Sequence, residues 1–319
     1  MRFVLGRTGA ALVTLFLVSV FCFLAFSVIR GDPAVTALGI NASPQQLETY
    51  RREMGLDQKL SVRYFSWLGN FVSGNPGSSV RFRGAEISSL VTERLPVSCT
   101  LASLSVILIL FLAIPVSLLT VRRENGIIAR TVNILTAAAV GIPNFFLGIL
   151  LIWIFGIGLR LFTPEVYIDY RENFFGFVRC LFFPALAIAI PNAAILVKFL
   201  RTSLFAEMRS DYVRTAYGKG AGHSIALRRH ALRNALIPSI TVFAMIMAEI
   251  FSGSIVIEQV FAIPGIGRLL ITAIASRDYP LIQALVMYIA LVVITVNTLA
   301  DIAIQLLDPR IRLERNREA

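Results

Sequence analysis

The chain has 319 residues, of which 56% are hydrophobic and only 15% charged, with a formal net charge of +11. That composition excludes an ordinary soluble globular protein and calls for a lipid environment. It also disfavours a nucleic-acid partner, because the basic residues sit in membrane flanks and not on a face interleaved with aromatics.

A helix needs about 20 apolar residues to cross a bilayer. Six segments qualify: Thr8 to Ile29, Val97 to Val121, Thr131 to Leu159, Cys180 to Phe199, Ile237 to Ile257 and Ile282 to Leu306. The expected fold is therefore an all-α integral membrane protein with six transmembrane helices and both termini on one side. Seventeen Lys and Arg flank that side, against five in the two short loops opposite, which makes it cytoplasmic. The loop Arg30 to Arg94 carries eight basic and six acidic residues, but a segment this long is translocated whatever its charge.

Residues 1–30 form an N-terminal anchor helix. Arg2 and Arg7 precede an apolar run too long for the core of a signal peptide, so the segment is expected to stay uncleaved. The external loop, 31–95, carries folding signals. Ser43, Pro44 and Gln46 make an N-cap, a first-turn proline and a capping box, ahead of Leu47, Tyr50 and Met54 at helical spacing and a stop at Gly55. Leu60, Tyr64, Trp67 and Phe71 then share one face of a second helix, and Gly74-Asn75-Pro76-Gly77 turns the chain. The loop either caps the external mouth of the membrane part or decorates its surface.

Residues 96–307 form the transmembrane domain, with a cytoplasmic loop at 200–236 and a cytoplasmic tail at 308–319. Pro115, Pro143, Pro184 and Pro191 each remove a backbone donor within a span, as happens where helices line a path or rearrange. Two acidic groups lie within spans, Glu249 and Asp301. Glu249 stands 12 residues past Ile237, about 18 Å along its helix and near the bilayer middle. A carboxylate there faces a wet path or a polar partner on a neighbouring helix. Ser252-Gly253-Ser254 would let another helix approach closely.

No catalytic constellation and no metal site are expected. Cys22, Cys99 and Cys180 have neither paired spacing nor nearby histidine and read as small apolar residues. His223 and His230 lack the spacing of a helical zinc site and read as solvated. The string Tyr217 to Ser224 is glycine-rich, but its lysine precedes the second glycine and no strand leads into it, so it is not a nucleotide-binding loop.

The basic stretch Lys198 to Ile237 offers a recognition surface instead. Phe205, Met208, Tyr212 and Ala216 follow at intervals of three, four and four, which places them on one face of a short helix flanked by Arg209 and Arg214. Such a stripe needs a groove on a partner, on this protein or on the membrane surface.

A series of short motifs runs along the chain: Gly31-Asp32-Pro33, Leu56-Asp57-Gln58, Trp67-Leu68, Arg94-Leu95-Pro96, and Ile142-Pro143-Asn144-Phe145-Phe146. It continues through Arg229-His230-Ala231-Leu232-Arg233-Asn234-Ala235 and Pro238, then Phe261-Ala262-Ile263-Pro264-Gly265-Ile266-Gly267-Arg268, Arg277-Asp278-Tyr279-Pro280 and Leu307-Asp308-Pro309-Arg310. In this order, over nearly the whole chain, the motifs resemble the permease subunits of binding-protein-dependent ABC importers, in their peptide/nickel branch.

The resemblance implies a type I importer fold and transport of peptides or a related small solute. It also implies four kinds of partner: a second homologous permease subunit in a heterodimer, two ATPase subunits holding ATP and Mg, an external solute-binding protein, and the lipid of a bacterial inner membrane. The family's cytoplasmic motif, Glu-Ala-Ala, three residues, then Gly, falls here on Arg214, Thr215, Ala216 and Gly220, with Pro238 following, so the first two positions depart from it. The resemblance makes Phe205, Met208, Tyr212, Arg214, Thr215, Ala216 and Gly220 the expected coupling surface, with Glu249, Ser252 and Gly253 on the translocation path. The alternative is an ATPase-independent secondary transporter or channel, which would show several intramembrane carboxylates and a repeat of broken helices.

Overall fold

The computed structural model describes residues 2–28, 43–53, 57–82, 84–124, 126–163 and 167–307. Gly31-Asp32-Pro33, Met54 to Leu56 and Asp308 to Arg310 lie outside them, and so do the side chains of Tyr50 and Ser252.

Among the described residues the chain is helical, with a single isolated bridge between Ser78 and Glu86. The elements are α1 (Arg2–Val28), α2 (Pro44–Glu53), α3 (Leu60–Val72), α4 (Ile87–Arg122), α5 (Ile127–Gly141) and α6 (Asn144–Leu151), which continues as a π-helix over Ile152–Gly158. There follow α7 (Phe174–Met208), α8 (Asp211–Gly218), α9 (His223–Ile225) with a π-helical stretch at Ala226–Ala231, α10 (Leu232–Val260), α11 (Ile266–Ala275) and α12 (Tyr279–Leu307).

Among the described residues, five helices are long and apolar enough to cross a bilayer, or six when α5 and α6 with its π-helical extension count as one broken span. The third segment is thus not the straight helix expected over Thr131 to Leu159. Its halves are bent by 108° at Ile142 and Pro143. Proline at 143 cannot donate to the helix and forces the residue before it out of the α region. Ile142 accordingly takes φ −92°, ψ 123°, and Pro143 starts the new helix at φ −61°, ψ 140°. Pro184, Pro191 and Pro238 sit inside helices that stay continuous.

The chain divides into two compact units, one of residues 1–98 with 264–295 and one of 99–263 with 296–319. In the first, Ile87, Leu90 and Val91 of α4 pack with Leu269 and Ala273 of α11 and Leu281 and Leu285 of α12. Asp278, 1% exposed, ties this cluster together. Its carboxylate accepts the Ser79 hydroxyl at 2.5 Å, the Arg81 N–H at 3.0 Å and the Leu281 N–H at 3.3 Å, the last capping α12. Ser98 Oγ accepts the Ile266 N–H at 2.9 Å at the start of α11.

The capping box at α2 forms as its residues require: Ser43 N–H donates to Gln46 Oε1 at 2.9 Å, and Gln46 N–H to Ser43 Oγ at 3.3 Å. The aromatic face of α3 packs on α1 and α12. Tyr64 meets Phe23 with ring centroids 5.4 Å apart and Phe16 at 6.5 Å, Trp67 meets Phe23 at 5.8 Å, and Phe71 meets Tyr288 at 5.0 Å.

In the second unit α7 is the central helix. Ala185, Ile188, Ala189 and Leu200 along it are fully or almost fully buried. All three cysteines are free thiols.

Candidate functional site

The basic loop of the second unit is built from the end of α7 to the start of α10. One helix was expected to carry Phe205, Met208, Tyr212 and Ala216 on a single face. Instead α7 ends at Met208 and α8 starts at Asp211, so the four residues are divided between two helices. Ser210 causes the break: its φ −72°, ψ 154° is that of a residue entering a helix, and its hydroxyl turns back to the Glu207 carbonyl at 2.5 Å. A serine that satisfies a backbone group locally competes with helix continuation.

The break also redirects the apolar residues. Val213 (0% exposed) of α8 points into a cluster with Leu200, Leu204, Leu227 and Ala231, Phe205 and Met208 pack partly buried against it, and Ala216 (9%) is buried as well. The groove that receives most of the stripe therefore belongs to this protein. Outward from α8 stand Tyr212 and Tyr217, each 38% exposed, with Arg214 and Thr215 between them.

Each outward residue is held in place. Tyr212 donates its hydroxyl to Glu207, and burial together with that carboxylate pushes the phenol above its ordinary range. Arg214 lies 3.5 Å from Asp211 on the exposed surface, and Thr215 donates to the Asp211 carbonyl at 2.9 Å. Tyr217 shares a 2.9 Å hydrogen bond with His223 Nδ1 and stacks on its ring at 17°. His223 is exposed yet partnered, which loop spacing alone did not reveal.

Gly220 ends α8 at φ +89°. The Ala221 N–H donates to the Ala216 carbonyl at 3.0 Å and the Gly220 N–H to the Tyr217 carbonyl at 2.9 Å. This is a Schellman cap, whose left-handed residue is usually glycine. A Cβ at 220 would meet nothing within 4 Å, so the backbone angle and not space selects glycine.

Higher in the same unit, α6 crosses α10. A Cβ at Gly148 would stand 3.1 Å from the Phe261 ring and 3.4 Å from Ile257, and one at Gly253 would stand 3.2 Å from the Asn144 amide. The helix that Gly253 admits is thus α6, whose Asn144 follows the break at Pro143. Ser252 lies in α10, with its side chain outside the described residues. Glu249 is exposed, one turn before Gly253, on the face that carries exposed Met245 and Val256. The two path candidates are thus neighbours on α10, Gly253 in the crossing with α6 and Glu249 exposed one turn away.

Two features escaped the sequence reading. Glu258 is 0% exposed, because α10 continues to Val260 instead of ending at Ile257. Lys198 and Arg201 line a cleft of about 490 Å³ between α5 and α7 together with Asn133, Thr136 and Thr202, and Arg201 hydrogen-bonds Asn133 while lying over the Phe205 ring at 5.3 Å. Spacing on α7 showed the two cations, but not that α5 would supply the opposite wall.

Among the described residues the protein is helical, with spans long enough for a bilayer, one bent span and a short capped helix in its basic loop. The family model described as "Binding-protein-dependent transport system inner membrane component" matches residues 105–313, and its N-terminal companion matches residues 1–102. The chain belongs to this family of transport-system permease components. Its relatives include a putative peptide transport system permease protein of Brucella abortus, 33% identical over 311 residues that cover 98% of this chain and 99% of the relative. The oligopeptide transport system permease protein AppB of Bacillus subtilis is 32% identical over 311 residues, 97% of this chain and 98% of its own. The dipeptide transport system permease protein DppB of Lactococcus lactis is 30% identical over 312 residues, 98% and 99%.

Proposed function

We propose that this chain forms half of the membrane path of a peptide importer and is worked through α8 by a separate ATPase subunit. The peptide class is supported by the names of its full-length relatives. One observation carries the coupling reading: α8 is detached from α7 at Arg209–Ser210, seated on its own chain by Val213 and Ala216, and capped at Gly220. A short helix anchored in this way moves as a body with whatever engages its outer face.

In this reading a cleft of the ATPase receives Tyr212, Arg214, Thr215 and Tyr217. Arg214, where the family carries glutamate, pairs with Asp211 only on the exposed surface, so docking rests on shape and the tyrosines more than on a carboxylate. ATP and Mg²⁺ are held by two ATPase subunits, and their closure supplies the differential affinity that drives the change of state. A second, homologous permease subunit completes a heterodimer. The open face of α10 then lines the path, which gives exposed Glu249 water instead of lipid. A solute-binding protein delivers cargo on the external side. The excess of Lys and Arg supports a topology with both termini in the cytoplasm, and the description of the matching family supports a bacterial inner membrane.

The test is uptake by the whole complex in vesicles, with Tyr212→Ala and Tyr217→Ala combined. The expected result is a chain that inserts and assembles with its permease partner but loses ATPase co-purification and peptide uptake together. Undiminished uptake with the ATPase shown to be absent would favour an ATPase-independent transporter.

A further inference from the structure

We propose that helix α3, in the segment between the first two spans, is buried in the lipid of one leaflet, with acyl chains covering its free apolar face. The argument starts from register. The Tyr64 hydroxyl hydrogen-bonds Ser19 Oγ at 2.8 Å. Ser19 lies eight residues, about 12 Å, from Ser27, where the apolar segment Leu5–Ser27 ends. Phe71 touches Tyr288, nine residues, about 14 Å, from the first residue of α12. The half-thickness of the hydrocarbon core is about 15 Å. Both ends of the aromatic face of α3 therefore contact spanning helices well below the membrane surface.

The rest of α3 fits that depth. Opposite the packed face stand Val62 (51% exposed), Phe65 (66%) and Val72 (78%), at intervals of three and seven that place them together. Helix α1, on which α3 packs, likewise exposes Leu12, Val13 and Phe16. Most polar side chains form a narrow stripe, Arg63, Ser66 and Asn70, also at intervals of three and four, with Ser61 in the first turn standing outside it. A narrow polar stripe on an otherwise apolar helix is the pattern of a segment lying in the membrane boundary, and three large apolar side chains in water would be an exposed patch without a purpose. Which leaflet holds α3 rests on the orientation proposed above; its depth does not.

The experiment is site-directed spin labelling of the full chain in phosphatidylethanolamine–phosphatidylglycerol vesicles, with Cys22, Cys99 and Cys180 replaced by alanine. Phe65→Cys, Val62→Cys and Val72→Cys are each labelled and compared with Arg81→Cys, at an exposed turn beside Asp278. The expected result is an oxygen-to-nickel-chelate accessibility ratio several-fold above that at Arg81. Nickel-chelate accessibility equal to that at Arg81 would place α3 in water and overturn the proposal. Protection from both reagents would show that another protein surface, such as a second subunit, covers the face, and would overturn it equally. Three separate positions keep the result readable if one label disturbs packing, and none of these outcomes depends on ATPase coupling.

Discussion

Ser79 donates its hydroxyl to the Asp278 carboxylate at 2.5 Å, joining segments 199 residues apart in a buried contact. The same carboxylate also holds two backbone N–H groups, so Asp278→Ala would strand three donors at once. Each buried unpaired donor costs about 1–3 kcal/mol. Asp278→Ala is expected to lower the thermal stability of the detergent-solubilised chain by several kcal/mol, and Asp278→Asn, which keeps one acceptor, by less. Melting followed by size-exclusion fluorescence checks both.

The second prediction concerns Gly220, where the left-handed conformation costs a residue with a Cβ about 1–2 kcal/mol. Amide exchange in α8 is expected to quicken in the order Gly, Asn, Ala, Val at this position, because asparagine tolerates the angle and β-branched valine does not. Exchange in α10 should be unchanged. Uniform exchange across the four variants would show that the cap does not hold α8.

Close packing between α6 and α10 gives the third. Gly148→Leu would drive a side chain into Phe261 and Ile257, already 3.1 and 3.4 Å from an ideal Cβ. Overpacking of this kind costs about 1–3 kcal/mol. The variant is expected to melt lower than Gly141→Leu, a glycine with nothing within 4 Å, when the two are compared in the same detergent.

Tyr167 supplies a pH signature. Burial, with Asp169 as the next cause, pushes its phenol from 10.0 up to about 12. The raised value favours the protonated form in the folded state, so its contribution is full below pH 10 and is lost as pH rises towards 12. Tyr167→Phe has no phenol to ionise and is expected to lose less melting temperature than wild type between those two values. Parallel alkaline melts of the two proteins decide it.

Much of the architecture was legible in the residues. The Ser43–Gln46 box, the aromatic face of α3 and the small residue at Gly253 each act through neighbours a few positions away or through size alone, and each appears as expected. What escaped depends on competition between local and distant terms. Thr131 to Leu159 is unbroken in hydropathy, so its length suits one crossing, whereas the backbone restriction at Ile142 decides the geometry. The stripe from Phe205 to Ala216 has perfect helical spacing, but Ser210 ends the helix inside it. Glu258 lies just past the apolar segment ending at Ile257, yet α10 runs on to Val260 and buries it.

The bend at Pro143 bears on how the protein is made. The two arms, Ile127–Gly141 and Asn144–Gly158, each hold 15 residues and reach about 22 Å, short of the roughly 30 Å that a bilayer demands. Neither arm can lodge in lipid as an independent anchor during synthesis. The second arm first meets α7, where Phe155 lies 5.3 Å from Phe183, and its crossing with Gly253 and Phe261 leaves the ribosome more than a hundred residues after Asn144. The newborn chain must shelter this hinge until those partners arrive.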